Sequence, residues 1–418
     1  MRRLPSFLFF AIGVILAFNP AYALFAILAQ EHLSASIINA FKYLPYFLLI
    51  TVLILSLWVY ISRHGLPNRS ATPNPVFFAF LTLCWGAISI ALSSASTFQA
   101  VRGFNVDFSG LILFVSLWLL APREEISRRL RAVIIATLGF LAVISIPEIF
   151  FNRAYRIWAH HQLDNHFVVQ KIPQLRSLTS GPNPFGTLLG LLGALLGRYI
   201  GNQWLQSCLI LVSGFLMGLT YARSAWGGIA IAGGGLFFYL LRKKKFVLWP
   251  LVLGFAILLG ASYGSIRYHE GVLNVLTHGK STDEHAKTAE NSLKATAHQT
   301  PLQTLVGHGV GTAGPVIFGT PEEKKTDVPK IVESWYLQLI AEVGIIGIIL
   351  YMITYISLIK TFFRKKMPFY AWLTIGLGVN AITLHTWSAD VNLNVMFWSL
   401  AALAIYSLPK LEPKTKKL

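Results

Sequence analysis

The strongest constraint on this chain is its series of long apolar runs, such as 44–61, 76–92, 204–221 and 335–359. A helix of roughly 20 apolar residues crosses the ~30 Å hydrocarbon core of a bilayer, and a soluble fold needs no such series. Of the 418 residues, 55% are hydrophobic and 12% are charged, and the mean hydropathy is +0.59. Soluble domains carry about 25% charged residues. The chain therefore reads as all-α, a polytopic membrane protein with about twelve transmembrane helices.

A net charge of +18 raises the question of nucleic acid. The basic residues, however, form short clusters between apolar runs, with no RNA- or DNA-binding signature beside them. They are read as topology determinants. Cys84 and Cys208 both fall inside apolar runs and are read as buried small residues, neither a disulfide nor a metal pair.

Twelve spans are predicted, near 6–29, 43–62, 76–95, 106–121, 132–150, 184–201, 204–221, 225–241, 246–263, 336–359, 369–387 and 392–408. With both termini cytoplasmic, the Lys and Arg clusters fall on alternate connections. They lie at Arg2/Arg3, Arg63/Arg69, Arg123 to Arg131, Arg198, Arg242 to Lys245, Lys360 to Lys366, and the tail from Lys410 to Lys417. One topology satisfies them all. Arg2/Arg3, an apolar stretch and Ala21-Tyr22-Ala23 outline a signal peptide; the apolar run continuing to Ala29 favours an uncleaved helix.

Three regions follow. Residues 1–263 carry the first nine spans, with an outer connection at 151–182. Residues 264–335 form a long outer loop, far longer than ordinary connections. Residues 336–418 carry the last three spans and a basic cytoplasmic tail. The long loop holds a polar segment, 280–290, read as a solvated helix, and then Gly307-His308-Gly309-Val310-Gly311.

Chemistry collects on the outer side. Arg223 sits in a turn of only a few residues and Arg176 just before the sixth span, both against the positive-inside trend. Guanidinium binds phosphate oxygens in a bidentate way, so these two suit a pyrophosphate clamp; the bland alternative is an arginine snorkelling beside Trp226. The glycine stretch lacks GxxxxGK[ST] and is no nucleotide loop, but as a turn it can present backbone N–H groups to an anion. His308 within it is a loop residue or a base. Glu333 stands at a helix start, where a carboxylate can cap. Gln338 and Glu342 share a helix face, and Glu342, about two turns into its span, is costly enough to imply a functional or paired role. His385 and Asp390 lie at the outer end of the last helix pair. No HExxH or Cys-x-x-Cys occurs, and neither a metal site nor a cofactor is expected.

The order Arg176-Ser-x-Thr-x-Gly-Pro-Asn-Pro184, Thr220-x-x-Arg-Ser-Ala-Trp226, a long outer loop, Gly-x-Gly-x-Gly311 and Glu333-Ser-Trp-Tyr-Leu-Gln-x-x-x-Glu-x-Gly-x-x-Gly347 resembles the O-antigen ligase and O-antigen polymerase superfamily. It covers roughly residues 170–350. The resemblance implies a metal-independent glycosyltransferase of GT-C-like type, multi-pass in the inner (cytoplasmic) membrane. Its donor would be undecaprenyl-pyrophosphate-linked glycan on the outer side, in lipopolysaccharide O-antigen or capsule assembly. The acceptor would be another glycan, lipid A-core or a protein hydroxyl, with membrane lipids and a chain-length regulator protein as further partners. Arg176 and Arg223 match the family's pyrophosphate-holding arginines, and Lys294 sits where a further loop arginine is common. Glu342, Arg267 and Asp390 are carried as supporting candidates. Ligases of this type have a His-Asn pair at the helix start after the long loop; here that place is Glu333-Ser334, so the base falls to Glu333 or His308.

Two other classes are weighed. A multi-span transporter of a small anionic solute would use Glu342 as a coupling carboxylate, but no internal repeat is seen and most charge is piled at one face. A non-catalytic envelope-assembly scaffold fits the absent histidine.

Overall fold

The computed structural model describes residues 4–29, 34–65, 72–150, 168–169, 172–175, 177, 179, 182–244, 248–267, 287, 290, 294, 300–314, 334–383 and 391–406. They form helices α1 (Leu4–Ala29), α2 (Ala35–His64), α3 (Asn74–Ala91), α4 (Thr97–Leu120), α5 (Glu124–Phe150), α6 (Pro182–Tyr199), α7 (Gln203–Leu219), α8 (Arg223–Arg242), α9 (Trp249–Arg267), α10 (Pro301–Val306), α11 (Trp335–Arg364), α12 (Pro368–Thr383) and α13 (Val391–Tyr406). Two-residue strands, β1 (Val168–Val169) and β2 (Ile172–Pro173), pair antiparallel.

By length and composition, seven of these helices suffice to cross a membrane: α2, α3, α4, α5, α8, α9 and α11. Shorter apolar stretches lie in α1, α7, α12 and α13. The protein is therefore helical and polytopic. Several helices start earlier than hydropathy implies. α4 begins at Thr97 instead of 106, because Ser96 accepts the Gln99 N–H as an N-cap and Arg102 stays on the helix. α5 likewise begins at Glu124, with its arginine cluster helical.

α4 is the hub. It is 94% buried along its span, against 28–50% for the other six candidate spans. A helix apolar all round belongs at a bundle centre. α13 and α2 pack on α4, α11 packs on α3, α8 on α12, and α7 on α6 and α9. The α7–α9 contact runs over small residues four apart, Gly214 and Gly218 facing Ala256 and Gly260. Such pairs bring backbones together where lipid supplies no hydrophobic drive. Outward, Phe7, Phe10, Phe47, Ile54, Trp58, Phe238 and Phe255 are exposed, as a lipid-facing rim requires. Cys84 and Cys208 belong to this exposed rim instead of the interior expected from their apolar surroundings.

α11 departs most from expectation. Residue Gly344 has φ 67° and ψ −174° and breaks the helix. The Trp335 ring lies 4.6 Å, centroid to centroid, from that of Tyr351, sixteen positions later. In a straight helix they would be about 24 Å apart. The 335–343 piece therefore folds back along the 345–364 piece. The span read as continuous is a half-helix followed by a full one.

Candidate functional site

The break at Gly344 strips the last carbonyls of the half-helix of their ordinary i+4 partners. All three are met from elsewhere. The His308 N–H donates to Ala341 O (2.8 Å), the Gly309 N–H to Glu342 O (2.9 Å), and Trp85 Nε1–H to Val343 O (2.9 Å). Ser89 Oγ adds a second donor to Glu342 O at 3.2 Å. Thus the glycine stretch 307–314 is the cap of a broken helix. It is tied on its other side by the Ser94 N–H donating to His308 O and Ser93 Oγ donating to Val310 O. At Gly311, φ is +79°, and a methyl there would overlap the Gln99 carbonyl oxygen of α4.

The His308 and Gly309 N–H groups, expected to face an anion, are instead bound to helix carbonyls. Just beyond them the Ala313 and Gly314 N–H groups both donate to a carboxylate, Glu342 Oε1, at 3.0 Å each. The chain supplies that carboxylate itself. Gln338 Nε2 donates to Glu342 Oε2 (3.4 Å) and to both oxygens of Asp107 on α4 (3.3 and 3.4 Å). Both carboxyls thus lie against the one amide nitrogen of Gln338. Asp107, Gln338 and Glu342 are all 0% exposed. Asp107 was not singled out from the sequence, although it lies inside a predicted span, as Glu342 does. The cost of a buried carboxyl, applied to both, would have found it. Glu342 itself sits two residues before the helix break, not two turns into an unbroken span.

His308 is half-buried, and burial pushes its imidazole below the ordinary histidine range. Its Nε2 is shielded from solvent and has no hydrogen-bond partner among the described residues. Arg223 is half-buried at the first turn of α8. A cation there faces the positive end of the helix dipole, so an anion drawn to it gains from both. The preceding turn is rigid: Tyr221 Oη donates to Ala261 O and Trp226 Nε1–H to Met217 O. The Leu175 N–H donates to Leu219 O at this turn, and Ser177 Oγ donates to Leu141 O on α5. Arg176 between them lies outside the described residues, as do Glu333, His385 and Asp390. The helix start after the loop is capped by Ser334, whose Oγ accepts the Leu337 N–H.

Two candidates have local partners. Lys294 pairs with Glu290 at 2.6 Å, both side chains exposed. Arg267 Nη1 donates to Ile149 O at 2.7 Å, tying the end of α9 to α5. Among the described residues no group of three or more His, Cys, Asp or Glu side chains could hold a metal ion.

The fold and site define a class: a polytopic membrane protein with a broken helix, a glycine-turn cap and a helix-start arginine gathered in its later half. Residues 208–352, from within α7 to the middle of α11, match the family model of the O-antigen ligases. That stretch holds Arg223, His308, Gln338 and Glu342, and over it the chain is similar to the O-antigen ligases. No curated protein matches the chain.

Proposed function

We propose that this protein is a metal-independent glycosyltransferase that transfers or polymerises undecaprenyl-pyrophosphate-linked oligosaccharide on the outer side of the cytoplasmic membrane, for O-antigen or capsule. The ligase-family match across 208–352 carries this reading. In it the twelve long helices all cross the membrane with both termini cytoplasmic, as the alternating basic clusters require. The 264–335 loop then lies on the outer face.

The step is a displacement at the anomeric carbon. An acceptor hydroxyl, on a glycan or on lipid A-core, bonds to that carbon as the bond to pyrophosphate breaks. Undecaprenyl pyrophosphate leaves with the electron pair, and the hydroxyl proton passes to His308 or Glu333. Arg223 and Arg176 hold the pyrophosphate and meet the charge that grows on it, with Arg223 fixed beforehand on its turn. A neutral imidazole suits proton abstraction near neutral pH. Lys294, Arg267, Glu342 and Asp390 support the loop around this centre, and a chain-length regulator would act on the same outer face.

Arg223→Ala should abolish surface polysaccharide while the protein still reaches the membrane. Normal polysaccharide in that strain would refute the arginine clamp. The transporter alternative gains one observation, since a broken helix beside buried carboxyls is a transporter-like feature. Flux of a small anion in reconstituted vesicles, without glycan transfer, would favour it.

A further inference from the structure

Two carboxyls buried side by side cannot both carry charge without a cation, because each charge would be desolvated and would repel the other. Asp107 and Glu342 are fully buried and lie against the same amide nitrogen, Gln338 Nε2, and among the described residues neither makes an ion pair. Their surroundings are donors suited to one negative charge: the Ala313 and Gly314 N–H groups on Glu342 Oε1, and the Gln338 amide across Asp107 and Glu342 Oε2. Trp335, on the same half-helix, meets Tyr351 edge to face, and Tyr351 in turn meets Trp398. The neighbouring imidazole of His308 is on the turn itself, with its backbone N–H bound to Ala341 O.

We propose that Asp107 and Glu342 hold a single proton between them, and that this proton-bridged pair is the clasp that seats the 307–314 turn on the broken end of α11. The clasp joins three elements distant in sequence: α4 through Asp107, the half-helix through Gln338 and Glu342, and the turn through Ala313 and Gly314. Without the bridging proton the pair would repel, and the Glu342 carboxylate would leave the two N–H groups it now holds. The turn carries His308, so under the function proposed above Asp107, Gln338 and Glu342 are positioning residues that set where that imidazole stands. The clasp stands on its own geometry, and its test does not require transferase activity.

The test is infrared difference spectroscopy of the purified protein at neutral pH, comparing wild type with Asp107→Asn and Glu342→Gln. One protonated buried carboxyl is expected in wild type. It should vanish in each single variant, where the new amide supplies its own hydrogen and leaves one ionised carboxylate. A band that persists in either variant would mean both groups are protonated, and no band in wild type would mean neither is; both results overturn the proposal. The seating of the turn is read separately. Thr312, 1% exposed, is replaced in a chain carrying Cys84→Ala and Cys208→Ala, and Thr312→Cys is labelled with a membrane-impermeant maleimide. Labelling should be at least about 10-fold faster with Glu342→Ala, and near the wild-type rate with Glu342→Gln. Equal rates in all three would show that the carboxyl does not hold the turn. If Glu342→Ala fails to fold, the two amide variants still decide the matter by infrared.

Discussion

The turn around His308 illustrates how one residue's environment sets its chemistry. Burial holds the imidazole neutral below its usual pKa of about 6.5. The folded state therefore binds this proton less readily than the unfolded chain. The corresponding stability is fully present above the unfolded value and is lost as pH falls through it. Thermal unfolding in detergent should accordingly occur at lower temperature as pH is taken from about 7.5 to about 5.5, and His308→Asn should flatten that dependence. An unchanged slope in the variant would show that His308 is not the titrating group. At this scale the sequence was partly legible. Glu342 stood out because a carboxylate in an apolar run is conspicuous, and Arg223 because it violated the charge pattern. Asp107 passed unnoticed inside a predicted span, since its significance lies in a partner 235 positions away (342 minus 107).

Among the elements, α11 holds the lesson. Its apolar run from 335 to 359 reads as one span because hydropathy averages over a break that a single glycine makes. What closes that break is the turn at 307–314, whose partners are carbonyls, which composition cannot reveal. The remaining long helices were legible because length and hydropathy alone specify a span, while their starts were displaced wherever an arginine such as Arg102 or Arg128 lay on the helix itself. Gly344 carries a directly testable cost. It needs φ 67°, and a methyl there would overlap Leu305 O in the turn's approach. Left-handed backbone costs a non-glycine residue about 1–2 kcal/mol, and forced overpacking about 1–3 kcal/mol. Gly344→Ala should thus destabilise the protein by about 2–5 kcal/mol. Gly254→Ala, in α9 with open space around it, should be neutral or slightly stabilising. Chemical unfolding of both in the same detergent checks the contrast, and similar effects at the two positions would contradict the account of the break.

For the molecule as a whole, charge and burial divide the work. In the proposed topology basic clusters on alternate connections orient the chain, whereas α4 at the bundle centre carries Asp107 into the interior where the later half of the chain meets it. The family match covers residues 208–352, and the arginine turn, the glycine turn and the helix break at Gly344 all lie within it. The protein purified and reconstituted in liposomes, with undecaprenyl-pyrophosphate-linked oligosaccharide as donor and either a second lipid-linked glycan or lipid A-core as acceptor, gives the most direct measurement. The account predicts consumption of donor, a longer or transferred glycan, release of undecaprenyl pyrophosphate without added metal, and a loss of at least about 100-fold in Arg223→Ala, the scale of removing one fixed charge-stabilising donor. Donor left intact with both acceptors, or turnover undiminished in Arg223→Ala, would contradict it.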